Sequence, residues 1–168
     1  MTDPKTYVLS PIGRLVQGDA FKGRTTDMEG NPLTYKTGPQ AGQPRTQYFT
    51  GVAFEKARID QFYQQINGQW QPFNLFELAA QVGRLDAPQC FDQQGNCTHP
   101  KWAWKIIDGD APEHSSKEGF AGHYVLKLTS SFAPDVTENQ GASTLDESSG
   151  KPKKGDFVQI YFEIAAHY

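Results

Sequence analysis

Cysteine is scarce in this sequence, with two residues among 168, and long apolar runs are absent. Two cysteines cannot build a disulfide scaffold, and we interpret them as thiols in a reduced compartment. No apolar run approaches the roughly 18 residues that a membrane-spanning helix needs. The first residues also lack a basic segment followed by an apolar core, so no secretory signal is predicted. These absences predict a soluble, cytoplasmic protein, and the length of 168 residues predicts one domain over residues 1–168.

A surplus of basic residues is also missing. The chain has 16 Lys and Arg against 19 Asp and Glu, a formal charge of −3, whereas a simple DNA-coating domain would be basic. Four of the acids, and no base, fall within residues 133–150, so this segment alone sets the sign of the charge. Aromatic residues are plentiful at 12%. They either fill the core or form stacking surfaces that face solvent.

The hydrophobic residues alternate with a period of two along most of the chain, which is typical of β-strands. Gly- and Pro-rich residues 23–46 predict a long excursion with a short strand at 33–35, and 133–155 predict a flexible loop. Helical spacing at 56–66 and 73–82 predicts a helical insertion over about 56–84, with Asn67-Gly68 ending its first helix. We expect a small antiparallel barrel or sandwich. Its predicted strands are 12–21, 47–54, 102–107, 123–132 and 156–166.

Two groups of residues could hold a metal. The sequence Asp108-Gly109-Asp110 offers oxygen ligands, but it lacks the spacing of a calcium loop and is more typical of a turn. Cys90, Cys97 and His99 could bind zinc, but their spacing is wide and a fourth ligand is missing. Neither group predicts a metal site.

Catalytic motifs are absent as well. The sequence contains no nucleophile elbow, no phosphate-binding loop and no metalloprotease helix motif. We therefore predict that the protein is not an enzyme and uses no cofactor. A metal-dependent nuclease at residues 108–110 is the weaker alternative.

Alternation along the predicted strands places rings beside cations. In the last strand, Phe157 and Tyr161 fall on the face opposite the apolar core residues. In the strand at 102–107, Trp102 and Trp104 share one face and Lys105 lies on the other. Such a surface suits a single nucleic-acid strand, because bases stack on rings and cations neutralise phosphates. Each ring is equally well explained as a core residue.

Five segments, taken in order, resemble the phage-encoded single-stranded DNA-binding proteins, a divergent group of replication proteins with a modified OB-fold. The segments are SPIGRLVQGDAF, QYFTGVAFEK, KWAWKIIDGD, GFAGHYVLKLTSSF and KKGDFVQIYFEI. The resemblance covers most of residues 8–164 apart from 133–150. Family members usually end in a flexible acidic tail, whereas this sequence ends at Tyr168, directly after the last predicted strand.

This resemblance implies a mainly β fold, an OB-fold-like antiparallel barrel with a short helical insertion and long loops. It implies binding of single-stranded DNA without sequence preference, during phage DNA replication or recombination in the host cell cytoplasm. Phage replication proteins such as a polymerase, a helicase, a nuclease or a recombinase are the expected partners, and a homodimer is compatible with it. Combined with the strand faces, it selects as DNA-binding candidates Arg14, Lys22, Arg24, Tyr48, Trp102, Lys105, Phe120, Tyr124, Lys127 and Tyr161.

The alternative is a non-enzymatic β-sandwich of a virion, with a structural or carbohydrate-binding role. It would use the same exposed rings to stack on sugar faces. Salt separates the two hypotheses, because affinity for single-stranded DNA falls steeply with ionic strength and sugar stacking does not.

Overall fold

The computed structural model describes residues 6–27, 29–138 and 141–166, which form short strands and one α-helix. The strands are β1 (Thr6–Leu9), β2 (Gly13–Arg24), β3 (Gln47–Glu55), β4 (Phe62–Ile66), β5 (Gln69–Phe73), β6 (Ile106–Asp108), β7 (His123–Ser130), β8 (Thr137–Glu138), β9 (Ser143–Thr144), β10 (Phe157–Val158) and β11 (Tyr161–Ile164). The helix α1 (Leu75–Asp86) lies between β5 and β6, and 3₁₀ turns occur at Lys56–Arg58, Pro88–Cys90 and Glu147–Ser149.

All strand pairs are antiparallel and they build three sheets within the described ranges. A four-stranded sheet has the order β11-β1-β4-β5, and a five-stranded sheet has the order β10-β2-β3-β7-β6, while β8 and β9 form a separate hairpin. The predicted mainly β, antiparallel fold with a short helix is therefore confirmed. Its two large sheets do not join into a closed barrel, because no ladder connects β11 with β6 or β7 in the described part of the chain.

The main core lies where the inner faces of the two large sheets and α1 meet. Val8 of β1, Phe54 of β3 and Phe62 of β4 are all buried there, and Phe54 and Phe62 meet edge to face with ring centroids 5.1 Å apart. The helix adds Leu75 and Leu78. It begins after the cap residue Asn74, whose side-chain oxygen accepts hydrogen bonds from the backbone N–H groups of Phe76 and Glu77.

A second, smaller core covers the opposite face of the five-stranded sheet. Val16, Ala53 and Val125 project from that face, and the loop between β6 and β7 folds back over them and inserts Phe120. This central part of the sheet is therefore buried on both faces, and its outer side cannot serve as a binding surface.

The predicted helix at 56–66 is wrong. Only a 3₁₀ turn forms at its start, and Phe62–Ile66 is the strand β4, which pairs with β5 across Asn67-Gly68. Asn67 and Gly68 have φ values of 52° and 79°, as a tight two-residue hairpin turn requires. Of the predicted insertion at about 56–84, only the second part is helical.

Other boundaries also shift. The predicted strand 102–107 is regular only from Ile106 onward, and the strand 156–166 divides into β10 and β11, which belong to different sheets. Within 23–46, single β-bridges replace the predicted short strand. The segment 133–155 contains the β8–β9 hairpin and a 3₁₀ turn, and its flexibility stays a prediction.

Among the residues described, no helix has the length and apolar character needed to cross a membrane.

Candidate functional site

A groove of about 1120 Å³ opens between the two large sheets, at the place where a closed barrel would have continued. One wall is β11 with the residues that flank it, and the other is formed by the start of β3 and the second half of β7. The chain from His99 to Lys105 and one side of α1 complete the lining. We call this feature the groove.

Two strand edges border the groove. Strand β11 is the edge strand of its sheet, and consecutive residues from Ile160 to Ala166 line the groove. On the other side, β6 pairs with only three residues of β7. Beyond Leu126, the edge of β7 that faces away from β3 therefore has no paired strand in the described part of the chain. The groove therefore runs between two strand edges that no ladder joins among the described residues.

Aromatic rings make up much of the lining. They are Tyr48, Phe49, Trp102, Trp104, Tyr161 and Phe162. Trp102 contacts Trp104 at a centroid distance of 5.7 Å and Phe91 at 5.4 Å. Gly83 of α1 lets this cluster approach the helix, because a Cβ there would lie 2.7 Å from Phe91 Cζ and 3.2 Å from Trp102 Cζ2.

Two features of this cluster are costly for folding alone. Trp102 Nε1 is buried and has no hydrogen-bond partner among the described residues. Lys105 has a φ of 58°, in the left-handed region that a residue with a side chain rarely adopts. Backbone strain of this kind is found most often at functional sites, whereas buried unpaired side-chain atoms also occur away from the groove, at Gln17 and Arg45.

The charge of the groove is opposite to that of the chain. Its lining contains Lys101, Lys105 and Lys127, and Glu163 is the one acid among the described lining residues. Three bases against one acid give a local charge of +2 in a protein of formal charge −3. Local potential along a cleft, rather than net charge, decides whether a polyanion is attracted.

The structure brings half of the predicted site residues together. The groove contains Tyr48, Trp102, Lys105, Lys127 and Tyr161. Arg24 lies beside it, with its guanidinium carbon 5.0 Å from the ring centroid of Phe49, a groove residue.

Four predicted residues lie elsewhere. Arg14 of β2 donates from Nε to the carbonyl oxygen of Gly155 at 3.1 Å, and Lys22 Nζ is 3.4 Å from Glu147 Oε1. Tyr124 packs edge to face on Phe76 of α1, with centroids 4.9 Å apart, outside the groove. Phe120 is 1% exposed in the second core, so it cannot stack on a base in this structure.

Residues 108–110 form an ion-pair cluster with Lys56. The Nζ atom of Lys56 lies 2.7 Å from a carboxylate oxygen of both Asp108 and Asp110. The hydrogen bonds from Lys56 lower the pKa of both carboxyl groups. A metal ion at this position would have to displace the lysine, and no group of three potential ligands occurs within the described ranges.

The cysteines offer no better metal centre. Cys90 is buried, and burial raises the pKa of its thiol, which disfavours the thiolate that zinc requires. Cys97 pairs through its backbone with Phe91 in an isolated bridge.

The sequence prediction missed several residues of this region. Lys101 and Trp104 line the groove and are sequence neighbours of the candidates Trp102 and Lys105. Strand alternation separates these neighbours onto opposite faces, whereas an irregular segment over 101–105 would have placed all four residues among the candidates. Tyr7 and Trp70 are exposed rings on the four-stranded sheet. Trp70 could have been found only by recognising Asn67-Gly68 as a hairpin turn, after which alternation places it on the outer face.

Comparison of the chain with protein-family models, with curated proteins and with solved structures gives no match.

Proposed function

We propose that this protein binds single-stranded DNA without sequence preference in the groove. One observation carries the proposal: a cleft of about 1120 Å³ combines aromatic rings with a local charge of +2, although the chain as a whole is negative. The resemblance of the ordered segments to phage single-stranded DNA-binding proteins supports the same function. Protection and organisation of single strands during phage DNA replication or recombination would be its role.

The two kinds of side chain have different tasks. Bases stack on exposed rings such as Tyr161, which is 61% exposed, and each stacked base contributes roughly 1–3 kcal/mol regardless of its identity. Lys105 and Lys127 have adjacent backbones, since Lys127 N donates to Lys105 O at 3.3 Å, and both line the groove, where they would supply phosphate contacts. Stacking needs unpaired bases, so a duplex cannot use the rings.

Fluorescence anisotropy of labelled oligo-dT of about 16 nucleotides tests the proposal, with a duplex of equal length as the comparison. We expect the single strand to bind at least about tenfold more tightly, which corresponds to one stacked base. Affinity should fall when salt is raised from about 50 to about 200 mM. Equal affinity for the duplex, or no binding to either DNA, would refute the proposal.

A carbohydrate ligand is the competing possibility. The change in affinity for oligo-dT between the two salt concentrations bears on it, because only phosphate contacts depend strongly on salt. Binding that persists unchanged at the higher salt would point to stacking without phosphate contacts.

A further inference from the structure

A second group of rings lies outside the groove, on the outer face of the four-stranded sheet. Tyr7 of β1, Trp70 of β5 and Tyr161 of β11 are 41%, 46% and 61% exposed. The rings of Tyr7 and Tyr161 are stacked, with centroids 5.5 Å apart and an interplanar angle of 15°. Trp70 meets Tyr161 edge to face at 6.3 Å. We call these three residues the outer ring cluster.

This cluster has no role in the core. Side chains alternate along the strands, and the core is served by the opposite face, through Val8 of β1 and Phe162 of β11. Exposed aromatic rings that lie together on one face, rather than singly, are a feature of interaction surfaces.

The four strands that carry the cluster are almost uncharged, apart from Glu163, which lies opposite Tyr7 in the β1–β11 pairing. Strands β1, β4, β5 and β11 contain no lysine or arginine, and Glu163 is their one acidic residue. A ligand there is therefore held by stacking and not by phosphate neutralisation. In this respect the cluster differs from the groove, which has three lysines.

Tyr161 connects the two surfaces, because it both lines the groove and contacts the other two rings of the cluster. On the basis of the proposed function, we infer that the outer ring cluster is a second stacking site for the same DNA strand. The strand leaves the groove over the β11 edge, and its next bases lie on Tyr7, Trp70 and Tyr161 with the phosphates facing water.

Oligo-dT of two lengths tests this path, about 6 nucleotides to occupy the groove and about 16 to reach the outer ring cluster. We expect Trp70→Ala to weaken binding of the long oligonucleotide roughly tenfold and to leave the short one unchanged. The loss should be the same at about 50 and about 200 mM salt, since no cation is removed. Trp70→Phe keeps a ring and should restore most of the affinity.

Phe157→Ala is the matched control. Phe157 is also an exposed ring, at 76%, but it lies on β10, at the far edge of the other large sheet from β6 and β7. This variant should bind both oligonucleotides like the unmodified protein, and circular dichroism should show that all variants are folded.

The outcomes separate the two proposals. If the unmodified protein binds and Trp70→Ala affects neither length, the outer ring cluster is not part of the DNA path, while groove binding stands. An equal loss of affinity of Trp70→Ala for both lengths also overturns the proposed second stacking site, because Trp70 would then act on the strand held in the groove. If the unmodified protein binds neither oligonucleotide, the proposed function itself fails.

Discussion

Lys56 connects three elements close to the groove without lining it. Its ammonium group reaches both carboxylates of the 108–110 turn and lies 5.0 Å from the ring centroid of Tyr124. It thereby ties the end of β3 to the ends of β6 and β7, whose neighbouring parts support Lys105 and Lys127. We interpret the cluster as structural, since Lys56 occupies the position that a cation would take.

Replacing Lys56 with Met should lower the melting temperature at neutral pH, because Asp108 and Asp110 are then left close together without a counter-charge. Lys56 lowers the folded-state pKa of both carboxyl groups. The stability from this cluster is therefore complete above their ordinary pKa of about 3.9 and is lost as the pH falls through the lowered values.

Thermal unfolding followed by circular dichroism between pH about 7 and about 2 measures this effect. The difference between Lys56→Met and the unmodified protein should shrink at the acidic end. Lys36→Met, at an exposed loop position, is the control and should be neutral throughout. A difference that does not depend on pH would assign the role of Lys56 to its contact with Tyr124 instead.

Single residues also show where sequence reasoning ends. Alternation along the last segment correctly predicts that Ile160 and Phe162 face the core while Tyr161 is exposed. Phe120 looks equally suited to stacking, but its loop folds over the five-stranded sheet and buries it. Which face of a sheet a loop will cover is decided by long-range packing, and local pattern does not contain that information.

At the scale of elements, the hairpin β4–β5 shows most clearly how tertiary structure can override a local residue pattern. The residues Ile59, Phe62, Tyr63 and Ile66 have helical spacing, and that spacing predicts a helix. Asn67-Gly68 supports a different structure, because both residues readily adopt the positive φ of a tight hairpin turn. The hairpin prevails because it buries Phe62 completely and pairs every residue from Phe62 to Ile66 with β5.

The acidic segment 135–149 is the second element with a testable role. Glu147 lies 3.4 Å from Lys22, and Glu138 lies 2.6 Å from Lys151, so the segment neutralises cations near it. Its deletion removes four acids and no base and changes the formal charge from −3 to +1. We expect the affinity for single-stranded DNA to rise roughly two- to fivefold at about 50 mM salt and less at about 200 mM.

The fold should survive this deletion, since neither core cluster includes a residue of the segment. The matched control keeps the segment and converts its acids to amides, as Asp135→Asn, Glu138→Gln, Asp146→Asn and Glu147→Gln. Both variants should behave alike in anisotropy titrations. If the deletion weakens binding and the amide variant does not, the segment itself contacts DNA.

At the scale of the whole molecule, the groove is assembled from segments that are distant in sequence. The sequence predicts the strands that carry Tyr48, Lys127 and Tyr161, and it selects the Trp102–Lys105 segment. The way these parts meet depends on the gap between two sheets that do not close. No residue pattern in 156–166 indicates that the last predicted strand divides into β10 and β11, which join different sheets.

The positive charge of the groove within a negatively charged chain leads to a prediction about how the affinity for single-stranded DNA depends on salt. On single strands, each neutralised phosphate contributes about 0.7 to the slope of log affinity against log salt. Lys101, Lys105 and Lys127 therefore predict a slope of about −2. Each change of Lys105 or Lys127 to Gln should reduce its magnitude by about 0.7, whereas Lys36→Gln should leave it unchanged. A slope of the original size in the double variant Lys105→Gln, Lys127→Gln would move the phosphate contacts to cations outside the groove, with Arg14 and Lys22 as the first to test.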